Sequence, residues 1–243
     1  MKKTLRFTSA ALTLALAAGM ALPAFAAAKP SFSKDETVYA VMAPDGSVTS
    51  TTVSAHLYNA AGLSGVTDRS TLIDIVNTES DAAFTQNGDS LTWDTTDTDV
   101  YYKGNTSRAL PVSAAVTYTL DGETAPLENL LGKSGHLTIR IDLTNNETGT
   151  VTVNGAERTV VTPFITAVGV VLGEDASNVT LEHGLLESAA KSTVAAFVTL
   201  PGVRGALSGL LPDSFSAAED YLQDSVTVEA DVENLSAPQI WLA

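Results

Sequence analysis

Four aspartates, Asp89, Asp94, Asp97 and Asp99, crowd into one serine- and threonine-rich stretch. Calcium takes about six to eight oxygen ligands, and carboxylates on a polar loop can supply them. The spacing departs from the Asp-x-Asp-x-Asp-Gly calcium loop, so a solvated acidic loop is the plainer alternative. Trp93, Tyr101 and Tyr102 lie beside these acids. Flat aromatic rings could line a sugar-binding face, although aromatics in strands more often fill a core.

Other motifs lack the company that their chemistry requires. Gly132-Lys133-Ser134 resembles the end of a phosphate-binding loop, but Leu127 stands where that motif needs its first glycine. The expected order there, helix then loop then strand, is also the reverse of a phosphate loop, so a helix-stop turn is predicted. Ser188-Ala189-Ala190-Lys191 has the Ser-x-x-Lys spacing of penicillin-recognising enzymes. Such enzymes also need Ser-x-Asn and Lys-Thr-Gly downstream, and neither follows. His56, His136 and His183 are scattered, without the spacing of a zinc site. The acids are expected at outward strand positions or in loops, where solvation explains them better than a glycosidase carboxylate pair.

Strands must position whatever chemistry there is. Val112, Ala114, Val116, Tyr118 and Leu120 alternate with small or polar residues, and Leu137, Ile139, Ile141 and Leu143 do the same. Val226, Val228, Ala230 and Val232 form a third such set. Period two with one apolar and one wet face predicts antiparallel sheets covered on one side. Pro44-Asp45-Gly46 predicts a hairpin between 37–42 and 47–54, and Asn154-Gly155 predicts another turn. Residues 136–163 are expected to form a three-stranded meander. A short helical turn is predicted over 125–131, with Pro126 at its start and Gly132 after it. A short helix is predicted within 201–211. Residues 185–200 are rich in Ala, Leu and Lys, which favours helix, but Gly184, Pro201 and the flanking strands point to a strand pair. The fold class expected is mainly β: an antiparallel, sandwich-like arrangement with one or two sub-sheets and minor short helices.

The N-terminus bounds the compartment. Lys2, Lys3 and Arg6 precede an apolar run from Ala10 to Leu22, and Pro23 and Ala24-Phe25-Ala26 follow it. This is the pattern of a secretory signal peptide, too short to span a bilayer. The expected division is a signal peptide over 1–26, a linker over 27–34, and β regions over 35–108 and 109–243, the last two able to form one domain. No later apolar run is long enough for a transmembrane segment. The signal holds three of the 13 basic residues and none of the 28 acidic ones, leaving 10 against 28, a net of −18. Such a field repels nucleic acid and anionic lipid. The chain has no cysteine, which removes disulfides, thiolate metal sites and thiol nucleophiles.

Several segments together carry a family resemblance. They include Thr37-Val38-Tyr39, Leu91-Thr92-Trp93, Tyr101-Tyr102-Lys103-Gly104 and Thr117-Tyr118-Thr119-Leu120-Asp121-Gly122-Glu123. They continue in Leu130-Leu131-Gly132-Lys133-Ser134-Gly135-His136-Leu137, Ile139-Arg140-Ile141-Asp142-Leu143-Thr144-Asn145, Thr162-Pro163-Phe164 and Val226 to Val232. The chain resembles the extracytoplasmic N-terminal region of exported proteins of Firmicutes and Actinobacteria. Longer members are similar to the phage-infection-protein type of membrane protein, and continue into repeats and a membrane span. The present sequence stops at Ala243 without them, as a truncated or freely secreted form would. The resemblance implies an envelope location and assigns no catalytic residue.

The expectation is a non-catalytic, extracytoplasmic ectodomain at a Gram-positive surface, without cofactor, whose partner is an envelope protein or glycan. Two alternatives stand beside it: an accessory ectodomain of a transporter-like membrane protein, and a hydrolase of wall polymer or glycan.

Overall fold

A computed structural model describes residues 32–153, 155–189, 191–207 and 222–243. The signal peptide, most of the 27–34 linker and the end of the 201–211 segment lie outside these residues. The described residues are 60% strand and 4% helix in several antiparallel sheets, a mainly β fold. Two compact units divide the chain, one of Met1–Val38 and Val53–Asn105, the other of Tyr39–Thr52 and Thr106–Ala243.

Among the described residues the N-terminal unit has seven strands: β1 (Ser33–Met42), β2 (Val48–Tyr58), β3 (Val66–Arg69), β4 (Ile73–Asn77), β5 (Phe84–Asn87), β6 (Ser90–Trp93) and β7 (Asp99–Asn105). The distal parts of β1 and β2 belong to the other unit. One sheet runs β1-β2-β7-β4 and a second runs β3-β6-β5. Inward residues of both sheets make one core, including Leu57, Leu91, Trp93, Val100 and Tyr102. Trp93 sits at its centre, its ring 5.1 Å from Phe84 and 5.6 Å from Tyr102.

The C-terminal unit continues with β8 (Val112–Leu120), β9 (Glu123–Thr124), a 3-10 turn at Leu127–Asn129, β10 (Gly135–Asn145), β11 (Thr148–Val153), β12 (Ala156–Val161), β13 (Thr166–Leu172), β14 (Ala176–Leu181), β15 (Leu185–Ala189), β16 (Ser192–Thr199), α1 (Val203–Leu207), β17 (Ser225–Val232) and β18 (Gln239–Leu242). Its two large sheets run β14-β17-β10-β8-β9 and β15-β16-β13-β18. The alternation expected of β8, β10 and β17 is realised, and Leu137, Ile139, Ile141, Val226 and Val228 pack with Val168 and Val170 of β13. Burying each such side chain is worth about 1.5–3 kcal/mol. The turn between β1 and β2 docks on β8: the Asp45 carbonyl accepts from Val116 N at 2.8 Å, and the Tyr118 hydroxyl donates to Pro44 O at 3.0 Å. Gly46, at φ 88°, is required there, since a Cβ would lie 2.4 Å from the Ala114 carbonyl oxygen.

The meander over 136–163 does not form as expected. β11 and β12 pair as a hairpin, but β10 pairs with β8 along one edge and β17 along the other. Asn145 explains the break. Its side chain is buried, donating to Thr162 O at 2.7 Å and Pro201 O at 3.1 Å, and it accepts from Glu147 N at 3.0 Å. These bonds pin the end of β10 and turn the chain out of its sheet. Residues 185–199 form the β15–β16 strand pair, so neighbouring strands override Ala and Leu helix propensity.

Candidate functional site

The chemically distinctive site lies in the N-terminal unit and grows from β3. In Val66-Thr67-Asp68-Arg69 the first and third residues point inward, so the alternation that buries Val66 also buries a carboxylate. Asp68 is 4% exposed and is the one acid among the buried residues described. The Tyr102 hydroxyl donates to its Oδ2 at 2.5 Å. Lys34 Nζ lies 3.1 Å from Oδ1 and 2.8 Å from Oδ2. The same ammonium meets Glu36 Oε1 at 2.9 Å and the Arg69 carbonyl at 3.2 Å. It also stands 5.8 Å from the Tyr102 ring centroid.

Two of these groups, Tyr102 and Lys34, are shifted by their surroundings. Burial pushes the Tyr102 phenol up to about 12, and the hydrogen bond to Asp68 adds to the shift. Burial works against the Lys34 charge, but the hydrogen bonds to Asp68, Glu36 and Tyr102 together outweigh it, and its pKa rises above the ordinary lysine value. A buried carboxylate is costly unless paired and hydrogen-bonded, and this one is both. Nothing in the sequence marked this quartet. The expectation that the acids lie at outward strand positions or in loops fails at Asp68, which takes an inward position of β3.

The four acids considered for calcium go to separate partners. Asp89 lies 4.0 Å from Arg69 Nη2. Asp94 Oδ1 accepts from the Ser64 hydroxyl at 2.9 Å. The Asp97 carbonyl accepts from Leu63 N at 3.1 Å, a backbone role in the loop. Asp99 accepts from Thr98 at 2.7 Å and meets His56 Nε2 at 2.9 Å; these two bonds, Thr98's the larger, lower its pKa. Among the described residues no group of three or more His, Asp or Glu side chains is arranged to hold a metal.

The aromatic trio is split by the pleat. Trp93 and Tyr102 are wholly buried, so they are core side chains and not parts of an open sugar-binding face. Tyr101, the neighbour of Tyr102, points the other way and stacks on His56 at 4.2 Å with the rings 3° from parallel. The His56–Asp99 pair could orient an imidazole as a base, but no hydroxyl nucleophile bonds to that ring among the described residues.

The remaining motifs take structural roles. Ser188 pairs across the hairpin with Thr193 at 3.2 Å, while Lys191 reaches Glu174 at 3.3 Å. Gly132, at φ 77°, follows the 3-10 turn, and Lys133 N donates to Leu130 O at 3.1 Å. His136 meets Asp231 at 2.9 Å, which raises the imidazole pKa, and Asn178 donates to the other Asp231 oxygen at 2.8 Å.

One surface of the C-terminal unit is unusually apolar. The ladders place Leu185 opposite Ala196, Val198 opposite Ala167, and both Ala196 and Trp241 opposite Gly169. Residues paired in this way share a face. Leu185 is 77% exposed, Val198 49% and Trp241 43%. The indole lies against Gly169, where an added Cβ would fall 2.1 Å from its Cε2 atom.

No family model matches the chain, and no curated protein matches it. Among the described residues no helix is long and apolar enough to cross a membrane.

Proposed function

We propose that the chain is an exported, non-catalytic ectodomain of a Gram-positive cell envelope, serving attachment or recognition. The observation that carries this reading is the apolar outer face around Trp241. Exposed apolar surface of this kind marks interaction sites, and an indole laid flat on a sheet suits the ring face of a sugar. The net charge of −18 in the segment after the leader disfavours anionic polymers, so an uncharged glycan of the wall is the partner that fits best. The basic-apolar-small pattern of residues 1–26 supports export. The titratable side chains, tied to one another as clasps across strands, support binding over turnover.

Co-sedimentation of the full chain with purified wall sacculi tests the proposal. Binding that Trp241→Ala abolishes, with no soluble fragments released from the wall, is the expected result. Release of reducing sugars would instead favour a wall hydrolase. The family resemblance favours a second reading, an accessory ectodomain of a transporter-like membrane protein. In that case the chain would partition with a membrane complex and ignore sacculi.

A further inference from the structure

We propose that Lys34 and Asp68 join covalently, Nζ to Cγ, in a self-catalysed amide cross-link between the first strand and the facing sheet. Three features of the quartet point there. The amine nitrogen touches both oxygens of the carboxyl group, at 3.1 and 2.8 Å, so the carbon between them is within reach. A second carboxylate, Glu36, stands 2.9 Å from the same nitrogen and can carry a proton. The Tyr102 hydroxyl already donates to Oδ2 at 2.5 Å, where negative charge would build during attack. Groups held in contact react with effective concentrations far above those of free solutes. A donor aimed at the developing oxyanion lowers the barrier further.

The step balances without any outside reagent. The Lys34 ammonium gives one proton to the Asp68 carboxylate, the slow step because the surrounding hydrogen bonds favour the charged form, and leaves an amine against a carboxylic acid. The amine lone pair attacks Cγ and forms the Nζ–Cγ bond. A second proton leaves the nitrogen through Glu36 and reaches the Oδ1 hydroxyl. The Cγ–Oδ1 bond then breaks and one water departs. Oδ2 remains as the amide oxygen and keeps the Tyr102 hydrogen bond. In open water the ion pair would be favoured over the amide. Here the carboxyl is 4% exposed, and amide formation removes two charges from a place where charge is costly.

The ties of Lys34 reach across the fold. It lies on β1 in the β1-β2-β7-β4 sheet, and Asp68 lies on β3 in the β3-β6-β5 sheet, so the bond would staple the two layers of the N-terminal unit. A chain without cysteine has no disulfide to do this.

Mass spectrometry of the denatured full chain decides the matter. The expected result is a mass one water below that of the sequence, with proteolysis yielding a branched peptide that joins the segments carrying Lys34 and Asp68. Lys34→Arg, which keeps the positive charge, is expected to restore the full mass while the protein still melts cooperatively. Glu36→Gln is expected to slow loss of water about tenfold or more in freshly purified protein. A wild-type chain at its full sequence mass overturns the proposal. So does a missing water that persists in Lys34→Arg, which would place the dehydration elsewhere. An unchanged rate in Glu36→Gln would overturn the proton-carrying role given to that residue. The proposal is independent of wall binding, which the sacculus assay reads separately.

Discussion

The N-terminal unit keeps a carboxylate inside, whereas among the described residues the buried polar side chains of the C-terminal unit are the amide of Asn145 and the hydroxyls of Thr51, Thr166 and Thr199. Both are sandwiches of antiparallel sheets, yet they solve burial differently. In the C-terminal unit long strands with strict alternation supply enough hydrocarbon, and its polar contacts pin strand ends. In the N-terminal unit β3, β5 and β6 have four residues each, and a polar quartet sits among the aromatics. An apolar core tolerates many arrangements of similar volume. A buried ion pair with a directed hydroxyl accepts far fewer, because each partner left alone is penalised.

Each unit carries one of the two tryptophans, Trp93 in the N-terminal unit and Trp241 in the C-terminal one. Variants that keep a single tryptophan therefore report on each unit by fluorescence. The largest effect is expected for Ile139→Asp. Ile139 is 1% exposed between β8 and β17, and an unpaired charge there should cost about 4–5 kcal/mol or more and abolish the Trp241 transition. A wild-type melting curve would reject the register. Asp68→Ala removes the acceptor of the Tyr102 hydroxyl and leaves Lys34 only Glu36 and the Arg69 carbonyl, and should lower the stability read by Trp93 by about 3 kcal/mol. If Trp93 unfolds at the wild-type midpoint, the quartet is not structural.

Alkaline pH provides a third contrast. Tyr102 in one unit and Tyr118 in the other are each raised from 10.0 to about 12, principally by burial. A group with a raised pKa contributes stability that is complete below its unfolded value and is lost as pH climbs through its folded value. Each tyrosine should thus withdraw about 2–3 kcal/mol between about pH 10 and 12. Before any cross-link forms Lys34 is raised as well and acts in the same direction, so in the chain of full sequence mass urea midpoints of the Trp93 signal should fall further than those of Trp241. Equal falls would remove the distinction. Gly169→Ala should displace the indole, costing about 1–2 kcal/mol and shifting Trp241 emission; an unchanged spectrum would show that the indole does not lie where described. The smallest effect belongs to Lys133→Ala, expected to stay within about 0.5 kcal/mol of wild type in urea titrations. Millimolar calcium should likewise leave both transitions in place, and a rise in either midpoint would revive a calcium site.

What was legible in the sequence followed from local rules. Alternation marked β8, β10 and β17, and Asp45-Gly46 marked a turn where Asp45 Oδ1 accepts from Ser47 N at 2.9 Å. The 3-10 turn at Leu127–Asn129 follows Pro126 as expected. Residues 185–200 were harder, because helix propensity and turn chemistry disagreed, and only the ladder to β13 resolves them. The partners of β10 were not legible at all. Strand pairing at long range is decided by which edges remain open, and the adjacent hairpin β11–β12 was the nearer candidate. For the same reason Trp93, Tyr101 and Tyr102 looked like one aromatic group until the pleat separated them. Asp68 became conspicuous only once Lys34 and Tyr102 stood beside it.

The pairing of Gly135 with Val232 has a consequence for biogenesis. A polypeptide is made from its N-terminus, so β10 emerges roughly 100 residues before the strand that must cover one of its edges. During that delay an apolar strand stands half-zippered to β8 while the N-terminal unit already has every strand it needs. The C-terminal half is thus the part most in need of a chaperone, and the aggregation hazard closes when Ser225–Val232 is free to pair with β10.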